Sequence, residues 1–118
     1  MTRIAAIVCG AGVSSTFLAR LLQASAVEQG LDWSIEPLAE DELTRRSGDV
    51  AMVFVGHHLA HRFADMQARL ALSDVPCALL ETSDQVTAAE QGVAVLAAMD
   101  QARQLVAATA ANKGPSRA

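Results

Sequence analysis

Cys9 closes the apolar run Ile4-Ala5-Ala6-Ile7-Val8 and opens a loop of small and hydroxyl residues, Gly10-Ala11-Gly12-Val13-Ser14-Ser15-Thr16. A thiol is a nucleophile only as its thiolate, and an adjacent positive field lowers its pKa. Gly10 and Gly12 let the backbone turn sharply and leave no side chain between the loop amides and a ligand. Ser14, Ser15 and Thr16 are suited to capping a following helix. Amide N–H groups converging at the positive end of a helix dipole favour a phosphate and the thiolate beside it. The residue types therefore point to an anion-binding loop with a nucleophilic cysteine at its mouth. The competing interpretation makes Cys9 a small buried hydrophobe and the glycines plain turn formers.

A second group is His57, His58 and His61. His57 and His61 stand one helical turn apart if the segment is helical, with Asp65 one turn further. A metal site would need another ligand that the spacing does not reveal. The histidines are expected to mark a polar helix start near the rim of the site, and His57 offers a contact to a bound phosphoryl group. No metal or other cofactor is expected.

These residues belong to a chain of 118 residues, the size of one domain with one core. Hydrophobic residues make up 52%, but aromatic residues only 3%, with no Tyr and one Trp. The core must therefore be aliphatic, with Met52, Met66 and Met99 filling gaps. The formal net charge of −4 supplies no basic face for nucleic acid, and the few aromatics offer no stacking platform, so nucleic acid is not an expected partner. Cys9 and Cys77 form no CxxC pair, which argues against zinc ribbons and thioredoxin-type redox motifs and suits a cytosolic chain with free thiols. Met1-Thr2-Arg3, an apolar run and a cysteine resemble a lipoprotein signal, but Ile4 to Val8 is shorter than the roughly 7–15 residues of an export segment. No stretch approaches the ~20 apolar residues of a membrane span.

Ile4 to Val8 reads as a strand covered on both faces. Phe17, Leu18, Leu21 and Leu22 recur at helical spacing, predicting a helix from about Ser15 to Glu28 that Gly30 stops. Leu31 to Leu38 reads as an edge strand, with Trp33, Ile35 and Pro37 on one face and Ser34, Glu36 and Leu38 on the other. A short helix over Glu40 to Arg46 follows, with Arg45 and Arg46 in a solvated turn, then Ser47-Gly48-Asp49 and a third strand over Val50 to Val55 closed by Gly56. Leu59, Phe63, Met66 and Leu70 predict one helix from His57 onward. Cys77 to Leu80 makes a fourth strand. A last helix begins near Thr87 or Ala88 and carries Val93, Leu96, Met99 and Val106. Asn112 to Ala118 reads as a frayed tail, giving one domain over 1–109 and a flexible tail over 110–118.

Alternating strands and helices predict an α/β fold: a four-stranded parallel sheet in the order 2-1-3-4 with helices on both faces, flavodoxin-like or phosphatase-like. That order puts the end of strand one, and Cys9, at the topological switch point where such sheets bind ligands. It puts Cys77 at the opposite end of the outer strand, too far for a Cys9–Cys77 disulfide.

Cys9-Gly10-Ala11-Gly12-Val13-Ser14-Ser15-Thr16 resembles the active-site loop of the lactose/cellobiose-class enzyme IIB components of the bacterial sugar phosphotransferase system, C-x-A-G-[MV]-S-[ST]-[ST]. The resemblance continues through Phe17-Leu18-Ala19-Arg20-Leu21-Leu22, Asp49-Val50-Ala51-Met52-Val53-Phe54-Val55-Gly56 and Val75-Pro76-Cys77-Ala78-Leu79-Leu80, covering about Arg3 to Arg103. It implies a phosphocysteine relay, with Cys9 taking a phosphoryl group from a phosphohistidine on a IIA partner and passing it to a sugar held by a membrane IIC partner. Gly10, Ala11, Gly12, Val13, Ser14, Ser15 and Thr16 would hold the phosphate. The implied location is the cytoplasm, peripheral at the membrane's inner face through IIC. His57 stands where many members have Pro, and the segment Thr82 to Thr87 lacks a Tyr often seen there.

The loop differs from that of low-molecular-weight tyrosine phosphatases and some arsenate reductases, which carry C-x5-R; the sixth residue after Cys9 is Ser15. Without that Arg, a carrier is favoured over a cysteine-dependent phosphatase. A non-catalytic anion-binding or regulatory module of the same fold is the alternative.

Overall fold

The computed structural model describes residues 2–8, 12–82 and 84–116, and the side chains of all of these except 12–15, 47 and 106–116. Four strands, β1 (Arg3–Val8), β2 (Trp33–Pro37), β3 (Met52–Val55) and β4 (Cys77–Leu79), form one sheet in the order β2-β1-β3-β4. All three pairings are parallel, as the sequence pattern anticipated. The helices are α1 (Gly12–Glu28), α2 (Glu40–Arg46), α3 (Phe63–Ala71) and α4 (Gln85–Ser116), with 3-10 turns at Ser47–Asp49 and His57–Arg62.

The continuous apolar runs of β1 and β3 are explained by burial on both sides. Ala5, Ile7, Met52 and Phe54 point to one face, where Leu18, Leu22, Leu96 and Val93 of α1 and α4 cover them. Ala6, Val8, Val53 and Val55 point to the other face, against Leu43 of α2 and Met66 and Leu70 of α3. Successive residues of a strand face opposite ways, so a strand sandwiched between helices must be apolar throughout. Met52 and Met66 are both buried, filling space in a core short of aromatics. Where α4 crosses α1, a Cβ on Gly92 would sit 3.1 Å from both methyl groups of Leu22, so glycine permits the close approach.

Helix α1 ends as expected: Gly30 has φ +72°, and the Leu31 N–H donates to the Ala26 carbonyl at 2.8 Å. This left-handed conformation costs glycine nothing and closes the last turn. The edge strand β2 differs in one detail from the expected alternation. Trp33 and Ile35 are buried, but Pro37 is exposed and Leu38 is buried on the opposite face with Val8 and Leu43. The chain leaves the strand at Pro37, so an exposed ring there interrupts no pairing, and Leu38 folds inward over α2.

Three helix starts also differ. Helix α1 begins at Gly12, so Ser14, Ser15 and Thr16 stand within its first turns rather than ahead of it. The segment after β3 is not a single helix: Leu59 has φ −106° and ψ 21°, which breaks His57–Arg62 from α3. Helix α4 starts at Gln85, because Asp84 accepts from the Thr87 N–H at 3.0 Å and caps it. It also continues to Ser116, past Asn112. Arg46 is not a solvated turn residue; it belongs to α2 and reaches Glu36 of β2 at 2.9 Å.

Both edges of the sheet are closed by a glutamine. Gln23 of α1 donates from Nε2 to the Trp33 carbonyl at 2.8 Å and accepts from the Ile35 N–H at 2.8 Å. Gln91 of α4 does the same for β4, donating to the Leu79 carbonyl and accepting from the Glu81 N–H, each at 3.0 Å. Each side chain occupies the backbone groups an edge would otherwise offer to another strand.

Candidate functional site

The expected site lies at the C-terminal edge of the sheet, and backbone hydrogen bonds define that edge. The Leu38 N–H donates to the Ile7 carbonyl at 3.0 Å, the Gly56 N–H to the Val8 carbonyl at 2.8 Å, and the Leu80 N–H to the Val55 carbonyl at 2.9 Å. The four strands therefore end at one level. The order places β1 between β2 and β3, and the connections from β1 and β3 leave towards opposite faces: α1 covers the face shared with α4, and α3 covers the other. This is the topological switch point of an open α/β sheet.

Cys9, Gly10 and Ala11 lie outside the described residues. Gly12, Val13, Ser14, Ser15 and Thr16 form the start of α1, only four residues beyond Val8. The first turn of α1 carries no acidic residue, so nothing of that kind offsets the positive end of a 17-residue helix. Thr16 is exposed, and an open groove of about 700 Å³ runs from Thr16 and Pro37 along α1 and β2 to Val27 and Glu28.

The segments leaving β3 and β4 bound the same edge. His57, His58 and His61 are all exposed. The rings of His57 and His58 meet edge to face with centroids 6.5 Å apart and an angle of 65°. Because this segment is a 3-10 turn interrupted at Leu59, His57 and His61 do not have the one-turn α-helical spacing that the sequence suggested. Among the described residues no group of three or more His, Cys, Asp and Glu side chains could hold a metal ion. After β4, Thr82 Oγ1 accepts from the Asp84 N–H at 3.1 Å, and Thr87 holds the Asp84 carboxyl below the usual carboxylate range through side-chain and then backbone hydrogen bonds.

One ion-pair cluster ties two of these segments together and was not legible in the sequence. Glu40, the first residue of α2, pairs with Arg62 at the end of the 3-10 turn and with Arg69 of α3, the latter at 3.0 Å. Arg69 also lies 3.5 Å from Asp65. Glu40 and Arg62 are 22 residues apart, so no local pattern announces the pair.

Cys77 begins β4, opposite Val53, and its thiol is free. Burial pushes that thiol up to about 11, which keeps it protonated and unreactive at neutral pH.

The family model for the lactose/cellobiose-specific IIB subunit of the phosphotransferase system matches residues 4–98. The chain belongs to the lactose/cellobiose-specific IIB family. The matched span runs from β1 into α4 and includes all of the sheet but its first residue, Arg3, and every segment at its C-terminal edge. The chain is thus a component of the sugar phosphotransferase system, within its transferase and sugar-transport machinery.

Two solved IIB structures share the fold. A lactose-specific IIB component domain from Streptococcus pneumoniae superposes with a TM-score of 0.70 at 9% identity, covering 86% of this chain and 97% of that one. A cellobiose-specific IIB protein from Borrelia burgdorferi gives a TM-score of 0.62 at 21% identity, covering 81% and 88%. Curated protein sequences contain no match to this chain. No helix among the described residues of this IIB chain is long and apolar enough to cross a membrane.

Proposed function

We propose that this IIB chain is a cytoplasmic phosphoryl carrier whose nucleophile is Cys9. In the first step the Cys9 thiolate attacks the phosphorus of a phosphohistidine on a IIA partner. The S–P bond forms, the P–N bond breaks, and its electron pair stays on the donor imidazole, which takes up a proton. In the second step a sugar hydroxyl oxygen, presented by a membrane IIC partner, attacks the same phosphorus. The S–P bond breaks, the hydroxyl loses its proton and the thiolate is restored. A thiolate suits both steps because it is a good nucleophile and a tolerable leaving group.

The observation that carries this proposal is the position of the motif. In a family-matched span, the central strand runs directly into Cys9, and four residues beyond Val8 a long helix begins with no acid in its first turn. Amides of Gly10, Ala11, Gly12, Val13, Ser14, Ser15 and Thr16 would supply the charge stabilisation in place of a metal. The carrier domain is taken as residues 1–109, with 110–118 as a C-terminal extension beyond it.

Intact mass after incubation with phosphoenolpyruvate, the general phosphocarriers and a IIA protein tests the proposal. The wild-type chain should gain one phosphoryl group and Cys9→Ser none. A Cys9→Ser chain that gains the same group, or a wild type that gains none while still binding phosphate, would identify another acceptor or an anion-binding module instead.

A further inference from the structure

The segments at the C-terminal edge of the sheet differ sharply in charge. The segment after β2 brings Glu40, and the segment after β4 brings Glu81 and Asp84. Cationic groups enter from the segment after β3, as Arg62 and, when protonated, His57, His58 and His61. Arg62 is occupied by Glu40. His57 and His58 are exposed, touch each other, and form no ion pair with any described residue. Such a pair of rings contributes nothing to the core and stays available to a ligand.

The backbone fixes where this pair stands. The Gly56 N–H donates to the Val8 carbonyl at 2.8 Å, and the carbon of that carbonyl is bonded to the nitrogen of Cys9. His57 is the next residue after Gly56, so its Cα lies about 3.8 Å from that of Gly56. The 3-10 turn is anchored at both ends, by the Leu59 N–H to the Gly56 carbonyl at 2.9 Å and by Arg62 to Glu40. His57 thereby follows directly on the residue that is hydrogen-bonded to the peptide leading into the nucleophile.

A phosphoryl group carries negative charge throughout its transfer to a thiolate, and a fixed cation beside it lowers the barrier. The chain has Ser15 where the phosphatase loop has Arg, so a side-chain cation that assists the loop amides has to come from another segment. We propose that His57 touches the phosphoryl group in transit at Cys9, donating an N–H to a non-bridging oxygen while keeping its proton, with His58 packed against its ring. This rests on the phosphocysteine reading above. His57 is then a catalytic residue of the carrier, contributed by the loop after β3.

The test follows phosphoryl gain by quenched intact mass, using a pre-phosphorylated IIA donor with wild type, His57→Ala, His57→Lys and Arg103→Ala. Arg103 sits beside Arg3 and Asp100 at the opposite edge of the sheet and controls for loss of surface charge. His57→Ala should lower the maximal rate at least tenfold, leave the half-saturating donor concentration within about threefold, and leave the unfolding midpoint unchanged. His57→Lys should restore the rate to within about threefold of wild type, and Arg103→Ala should match wild type. A His57→Ala rate within twofold of wild type overturns the assignment, as does a His57→Lys rate as slow as His57→Ala. A wild-type chain that gains no phosphoryl group overturns the carrier reading itself, which separates the two failures.

Discussion

Cys77 is the cysteine of this chain whose surroundings are described. Cys77 is half-buried at the entry to β4, and desolvation raises its pKa from an ordinary 9.0 to about 11. The sign follows from burial: the neutral thiol is favoured, so the folded chain resists losing this proton, and the contribution to stability is present below about pH 9 and lost as pH rises through 11. In Cys9→Ser, where Cys77 is the remaining thiol, alkylation by iodoacetamide at pH 8 should run roughly a hundredfold slower in the native chain than in denaturant, because the thiolate fraction falls tenfold for each unit by which the pKa rises. Equal rates under the two conditions would show that Cys77 is open to solvent in its thiolate form. The expectation that Cys9 rather than Cys77 is the nucleophile rests on the sequence, where one precedes glycines and hydroxyl residues and the other follows Val75-Pro76 inside an apolar strand.

At the level of elements, the apolar periodicities found the four strands and four helices but misplaced their junctions. The two central strands were unambiguous because burial on both faces removes polar residues from them. Junctions depended on single interactions. Asp84 starts α4 ahead of the periodic stripe by accepting from Thr87, and a non-helical Leu59 splits a continuous leucine, phenylalanine and methionine pattern into a 3-10 turn and α3. The glutamine clamps were invisible, since a Gln at position 23 or 91 reads as an ordinary polar helix residue. Their energetic role can be measured. Gln23→Ala leaves the Trp33 carbonyl and the Ile35 N–H of a half-buried edge without partners, and each lost partner costs about 1–3 kcal/mol before water recovers part of it. Urea unfolding followed by the fluorescence of Trp33, the one tryptophan, should show a loss of about 1–3 kcal/mol overall. No change would mean that solvent satisfies both groups.

Across the whole molecule, the carrier function proposed above would assign charge stabilisation for phosphoryl transfer to backbone and side chains at one edge of the sheet. Among the described residues no cluster could ligate a metal. If the loop amides supply the charge stabilisation as proposed, transfer from a pre-phosphorylated IIA donor to Cys9 should proceed at an unchanged rate in excess EDTA, and a loss of more than about threefold, restored by a divalent cation, would contradict this. The composition, the alternation of apolar strands with amphipathic helices, and the motif Cys9-Gly10-Ala11-Gly12-Val13-Ser14-Ser15-Thr16 determined the fold class, the family resemblance and the expected nucleophile, because each is a property of neighbouring residues. Only the tertiary structure decided what depends on distant ones. Glu40 meets Arg62 and Arg69, Gln23 and Gln91 close the edges, and Gly56 pairs with Val8 to bring the turn that starts with His57 alongside the peptide entering Cys9. The residue types of the opening stretch and the alternation of strands and helices were thus readable locally, whereas the partners of Glu40, Gln23, Gln91 and Gly56 lie far off in sequence and are set only when the chain folds.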